Sequence, residues 1–298
     1  MSQNEGTSVS SQGFEYGVKH FYNPKSGSIT EIMFDLLNLE AEEAHSLLKL
    51  GAVYVNNIRQ EQNEVIAENS LFRVHTKPRR YNCNYNWRSL VIYENTDLVV
   101  LNKPSGIPSH PSVDNKIENA LSQLSFDLGI PLFITHRLDT LTEGLIVYAK
   151  NNNFVKSFNI QLQERNIEKK YVAIVESKRS LPARLLHYMI PSPRAPKKLS
   201  DSVVENAALC ELEILDQKSI SSELTWVKIN LLTGRTHQIR AQMSHSEAPV
   251  LGDHLYGGQH PYKPNAIALR ACELQFNWGI QRLRFNLNED FDIPQKPF

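Results

Sequence analysis

An α+β fold is what this 298-residue sequence predicts, with a mixed or antiparallel central sheet preceded by a small α/β module. Three observations predict it. Short apolar strand patterns dominate from Leu90 onward. Helical patterns fall between them without the strict alternation of βαβ units. Residues 29–76 carry a separate pattern of two helices and a hairpin. The chain is longer than an average domain, and with 41% hydrophobic residues it has material for two unequal cores.

The elements follow in order. Residues 1–28 open polar, rich in Ser and Gln, and are expected to be a disordered tail with no secretory signal. Ile29–Asn38 and Ala41–Leu50 have helical apolar spacing, and Gly51 is placed to stop the second helix. Val53–Val55 reads as a strand, Asn56-Asn57 as a tight turn, and Leu71–Val74 as the return strand. Residues 77–89 form a basic linker, where Pro78 and the asparagines disfavour regular structure. From residue 90 to 298 a second domain is expected. Its strands are Leu90–Tyr93, Leu98–Asn102, Gly144–Lys150, Tyr171–Glu176, Leu209–Leu215, Thr225–Leu231 and Ala266–Leu274. Its helices are Ile117–Leu124, Asn152–Glu164 and Gln238–Ser244. Leu181–Asp201, rich in Pro, Ser and bases, reads as an exposed insertion.

Composition narrows the function. No run of about 18 apolar residues exists, so a membrane span is not expected. Cys83, Cys210 and Cys272 are isolated, fitting neither a disulfide framework nor a metal site, and point to a reducing, cytoplasmic compartment. The net charge is zero but unevenly spread. Residues 31–68 carry eight acids against two bases, while residues 69–298 carry 28 bases against 22 acids. A polyanion would prefer the C-terminal part.

The densest chemistry lies in His136-Arg137-Leu138-Asp139-Thr140-Leu141-Thr142-Glu143-Gly144-Leu145. Charge this close to an apolar strand costs free energy unless it pairs or does chemistry. A second cluster, Gly234-Arg235-Thr236-His237-Gln238-Ile239-Arg240, supplies arginines that would hold Asp139 ionised and oriented. Such a carboxylate can act as nucleophile or general base. His136 and His237 lack metal-ligand spacing. GxSxG, P-loop and dinucleotide motifs are absent. No metal and no cofactor are therefore expected.

These segments resemble the RluA-type RNA pseudouridine synthases. HRLDTLTEGLIVYAK is similar to the family's H-R-L-D-x-x-T-S-G-L-x-x-x-A-K signature, and LTGRTHQIRAQMSHSEAPVLGDHLYGG to its G-R-T-H-Q-I-R and G-D-x-x-Y-G segments. VLNKPSGIPSHPS and KKYVAIV resemble its N-K-P-x-G and K-x-Y-x-A-x-V segments. The four lie in family order across residues 90–275. Residues 29–76 more weakly resemble an S4-like RNA-binding module, from whose basic face the acidic balance departs.

The resemblance implies a pseudouridine synthase catalytic domain that isomerises uridines of rRNA or tRNA without a cofactor. It implies Asp139 as the essential carboxylate, by a nucleophilic or a glycal route. It gives Tyr171 the role of stacking on the extruded uracil and helping remove the C5 proton, and makes Arg240 the partner of Asp139. Leu269 would line the pocket. Arg137, His136, Thr142, Arg235, His237, Gln238 and Lys103 would contact or support the substrate. Lys103 and Lys150 are candidate phosphate contacts on their charge alone, with a solvated lysine as the default reading of either. Turning a base out of RNA costs a few kcal/mol, and stacking returns about 1–3 kcal/mol per base. The sequence departs from the family at Glu143 (usually Ser), Glu176 (usually Gly), Ala241-Gln242 (usually Val-His) and Arg270 (often His). A monomer without protein partners is expected. The alternative is an RNA-binding relative with weak or lost catalysis, acting as a chaperone or assembly factor; an unrelated hydrolase using Asp139 and His237 is a third reading.

Overall fold

The structure, a computed structural model, describes residues 10–12 and 17–292. It divides into two compact units. One comprises the described residues up to Asn84 together with His110–Gln123; the other runs from Tyr85 to Ser109 and from Leu124 onward.

In the first unit a five-stranded antiparallel sheet is ordered Ser10–Gln12, Val18–Tyr22, Leu71–His75, Val53–Val55, Ile58–Gln60. Helices Ile29–Leu37 and Ala41–Leu50 share one apolar core with it, built from Phe21, Ile32, Met33, Leu47, Phe72 and Val74. Ser28 caps the first helix in a reciprocal box with Glu31. Gly51 ends the second at φ 69°, in the left-handed conformation that favours glycine. Asn56 and Asn57 both take positive φ, matching the twist of a two-residue hairpin.

Three expectations change here. The tail expected over residues 1–28 contains the strand Val18–Tyr22, which pairs with Leu71–His75, and the short strand Gly27–Ser28; residues 1–9 and 13–16 lie outside the described residues. The immediate return from the Asn56-Asn57 turn is Ile58–Gln60, with Leu71–His75 on the other side of Val53–Val55. The basic linker is tied down: Arg79 forms a two-pronged pair with Asp114, and Arg80 with Glu118. Carboxylates some 35 residues away neutralise charges that looked solvated.

The second unit is built on an eleven-stranded sheet. Its central order is Arg184–Met189, Ala208–Ser219, Leu224–Leu231, Glu168–Glu176, Leu269–Trp278, Glu143–Ala149, Leu98–Lys103, Val91–Glu94. Among the described residues one pairing is parallel, between Glu143–Ala149 and Leu269–Trp278; the other pairings are antiparallel, so the sheet is mixed as expected. Helix Asn152–Gln163 packs Phe154 and Phe158 into an apolar cluster with Leu98, Val100, Val147 and Phe276. Helix Ala120–Leu128 starts three residues later than its sequence pattern. The expected insertion at 181–201 is partly sheet, because Arg184–Met189 pairs along Ala208–Ser219 and Leu199–Ser200 pairs with Arg184–Met189. Its alternation of buried Leu185, His187 and Met189 is short and flanked by prolines, which hides it in the sequence.

Gly144 decides the parallel pairing. It sits at φ 113°, and a Cβ there would stand 2.3 Å from the Ala271 carbonyl oxygen. Only glycine lets the two backbones meet, and their meeting brings the segment before Gly144 beside the start of the Leu269–Trp278 strand.

Candidate active site

Asp139 begins a tight turn: the Thr142 N–H donates to the Asp139 carbonyl at 3.1 Å, and the Glu143–Ala149 strand follows. The turn is braced from a neighbouring loop. Ser109 Oγ donates to the Leu138 carbonyl at 2.7 Å and accepts the Leu138 N–H at 3.0 Å. Lys103 Nζ donates to the carbonyls of Pro104, Ile107 and Thr140. The backbone on both sides of Asp139 is thereby held in place.

Around it lies a cavity of about 520 Å³, a size suited to a nucleotide-sized ligand. Three adjacent strands and one helix supply its chemistry. Tyr171 comes from Glu168–Glu176, Leu269 from Leu269–Trp278, Asp139 from the turn before Glu143–Ala149, and Arg240 from helix Gln238–His245. His136, Arg137, Thr142, Arg235, His237 and Gln238 also line it.

Arg240 is 3% exposed and divides its guanidinium. Nε and Nη2 hold Asp253 at 2.6 and 2.9 Å, while Nη1 approaches Asp139 at 3.4 Å. Arg240 therefore pairs first with Asp253, which orients it, and Asp139 takes the remaining nitrogen. His237 Nε2 stands 3.9 Å from Asp139 on the other side. Its backbone is left-handed, φ 58°, and its Nδ1 meets the Tyr256 hydroxyl at 3.1 Å. That hydroxyl also accepts the Lys197 N–H at 2.8 Å, which anchors the side of the ring away from Asp139. Burial holds the His237 pKa below the ordinary value, against the pull of Asp139, so the ring stays neutral at neutral pH. Burial, helped by the Asp139 charge, pushes the Tyr171 phenol well up, so it keeps its proton.

Two predicted contacts are support instead. The Lys103 ammonium is fully buried beneath the turn, its pKa lowered to about 7 by burial, and cannot reach a phosphate. Lys150 pairs with Glu94 and does not line the cavity. His136 accepts the Val147 N–H on Nε2 and stacks on Phe158, and Gln238 is 3% exposed within a network of Thr233, Glu211 and Gln242. Both touch the cavity as scaffolding.

Sequence reasoning missed Asp253, Tyr256, Arg165 and Lys169. Asp253 and Tyr256 stand at the Asp and Tyr of the G-D-x-x-Y-G segment; Lys169 precedes Tyr171 by two residues on one strand, which was signal enough to place it on the same face. Among the described residues the one trio of metal-ligand type is His187, Asp201 and His245, and none of the three lines the cavity. The Gln242 amide donates to His187 Nδ1, leaving the His187 proton on Nε2, 3.6 Å from Asp201, and His245 Nε2 sits 2.8 Å from the same carboxylate.

Comparison with known proteins places this geometry. Residues 97–245 match the sequence profile described as RNA pseudouridylate synthase. The chain is 33% identical to rice RNA pseudouridine synthase 6, chloroplastic, over 73% of this chain and 52% of that protein, so it spans about half the length of this relative. It is 30% identical to ribosomal large subunit pseudouridine synthase D of Haemophilus ducreyi, over 78% of this chain and 73% of that one. In fold it is similar to human RNA pseudouridylate synthase domain containing 4, with a TM-score of 0.55 at 22% identity, covering 70% of this chain and 90% of that one.

Proposed function

We propose, from the premise that the chain belongs to the RNA pseudouridylate synthase family, that it isomerises uridines of ribosomal or transfer RNA to pseudouridine, with Asp139 as the catalytic carboxylate. The observation that carries this is Asp139 braced in its turn, facing Arg240 and His237 Nε2, in a cavity walled by Tyr171 and Leu269. Relatives named for ribosomal and for transfer RNA support both substrate classes.

The target uridine leaves its stack and enters the cavity, where the Tyr171 ring takes the place of a neighbouring base. Asp139 starts the reaction, by attack at C1′ or by taking the C2′ proton on the glycal route, and the N1–C1′ bond breaks. Uracil turns and C5 bonds to C1′ as the Asp139–C1′ bond breaks, or as Asp139 returns its proton to C2′ on the glycal route; the proton lost from C5 is balanced by one gained at N1. Atoms and electrons balance within the nucleotide, so no cofactor is required. Arg240, held by Asp253, keeps the Asp139 carboxylate aimed. Tyr171, protonated, serves through its ring and as a hydroxyl rather than as a phenolate base.

The working unit in this proposal is a monomer. The isolated spacing of Cys83, Cys210 and Cys272 along the sequence supports a reducing, cytosol-like compartment, and no described helix is long and apolar enough to cross a membrane. The paired helices and hairpin of the first unit support an S4-like reading of that region.

Incubation with total RNA followed by pseudouridine mapping tests the proposal. Wild type adds pseudouridines and Asp139→Ala adds none. RNA binding without any modification by wild type would instead favour the non-catalytic RNA-binding alternative.

A further inference from the structure

The cavity over Asp139 carries positive charge that the reaction scheme leaves unused. Arg137, Arg165, Lys169 and Arg235 all line it. Among the described residues none of the four has a carboxylate within ion-pair distance, whereas Arg240 is held by Asp253 and Asp139.

Lys169 is the informative member. It precedes Tyr171 by two residues on the strand Glu168–Glu176, and both side chains reach the cavity. Its neighbour Lys170 is paired with Glu273 at 2.8 Å. Adjacent lysines on one strand are thus treated differently, one given a carboxylate and the other left facing the cavity. Burial lowers the Lys169 pKa with no counter-charge to offset it. Room is kept for its ammonium: a Cβ on Gly234 would stand 3.1 Å from Nζ. A part-buried cation without a partner is unfavourable until an anion arrives.

Arg165 joins it from another element. It sits in the turn closing helix Asn152–Gln163, at φ 59°, its N–H donating to the Leu162 carbonyl at 3.3 Å. This left-handed residue departs from the helical path just as the chain turns toward the strand bearing Lys169. Arg235 comes from the segment between Leu224–Leu231 and helix Gln238–His245. Separate elements therefore direct unpaired cations into one space, as a ligand with several negative charges requires.

We propose that Lys169, with Arg165 and Arg235 lining the same cavity, forms a phosphodiester site that grips the backbone of the nucleotide whose base stacks on Tyr171. This rests on reading the cavity as an RNA uridine site. It gives the enzyme its hold on substrate through Lys169 and leaves bond chemistry to Asp139.

The test uses the full chain carrying Asp139→Asn, so that binding is read without turnover, and a labelled single-stranded oligouridylate as probe. Adding Lys169→Met, which keeps the apolar stem, should weaken binding about tenfold at low salt. It should also flatten the dependence of log K on log salt by about 0.7, the share of one phosphate contact on a single strand. Lys169→Arg should restore the slope, and Lys218→Ala, an exposed lysine outside the cavity, should change nothing. In the Asp139 enzyme, Lys169→Met should raise KM for total RNA and leave kcat near wild type. Equal slopes with and without the Lys169 charge, while wild type still forms pseudouridine in total RNA, would overturn the phosphate site and leave the isomerase reading standing. No oligouridylate binding and no pseudouridine from wild type would overturn both.

Discussion

Glu143 and Arg270 face each other across the one parallel strand pairing among the described residues, their backbones in direct register. Glu143 Oε1 receives Arg270 Nε at 2.8 Å and Nη2 at 2.7 Å. These are two of the positions where the chain departs from the RluA-type signature. They depart together: a carboxylate enters beside the catalytic turn, and a guanidinium enters opposite to absorb it. Arg270 also donates to the carbonyls of Asn288 and Asp290 and lies over Phe291 at 5.0 Å, fastening the end of the described chain. The charge of Glu143 is thereby neutralised by Arg270.

A double-mutant cycle should expose that coupling. The two side chains are 25% and 20% exposed, so neither charge is fully solvated once its partner goes. Glu143→Ser and Arg270→His should each cost about 1–3 kcal/mol in urea unfolding. The double variant should cost less than their sum, by about 0.5–3 kcal/mol. Strictly additive costs would show that the pair contributes nothing jointly.

What was legible in the sequence was local. The helix stop at Gly51, the Asn56-Asn57 turn, the strands after Leu90 and the catalytic turn each announce themselves within a few residues. What was hidden depends on partners far along the chain. Val18–Tyr22 buries only Phe21, too little alternation to read as a strand until Leu71–His75 pairs with it. Arg79 and Arg80 look solvated until Asp114 and Glu118 arrive. Lys103 looks like any surface lysine, and only the carbonyls of Ile107 and Thr140 show that it is interior. Asp253 was inside a recognised segment, yet its role needed the geometry of Arg240.

Lys103 should be a positioning residue, since its ammonium touches backbone and not the cavity space. Lys103→Met leaves carbonyls of Pro104, Ile107 and Thr140 without their donor. The expected loss is about 1–3 kcal/mol of stability. Because Thr140 adjoins Asp139, kcat should fall while KM changes little. A rise in KM with kcat intact would instead restore a direct substrate role.

His136 should mark the acid limb of the stability curve. Burial pushes its pKa down to about 3, with the Lys169 charge adding to the effect. The unfolded chain takes up this proton near pH 6.5 and the folded chain refuses it until about pH 3. The His136 contribution is thus fully present above pH 6.5 and is lost as pH falls toward 3, at up to about 1.4 kcal/mol per pH unit. His136→Gln, which retains an acceptor for the Val147 N–H, should flatten that limb by one proton. Unfolding free energies measured from pH 7 to pH 4 would show it; parallel curves for the two proteins would mean that the proton is bound in the folded state.

Asp253 should matter more to Arg240 than Asp139 does. It is 1% exposed and receives two of the guanidinium nitrogens, so Asp253→Asn strips most of the compensation from a buried cation. Breaking a buried pair from one side costs about 3–5 kcal/mol. Asp139→Asn removes only the 3.4 Å contact and should leave the melting temperature within a few degrees of wild type. Activity should respond the other way, vanishing in Asp139→Asn and persisting at a reduced level in whatever fraction of Asp253→Asn remains folded. Thermal unfolding and pseudouridine formation measured on the same preparations separate the two carboxylates. A large stability loss in Asp139→Asn, or an inert Asp253→Asn, would reverse their assignment as reactant and support.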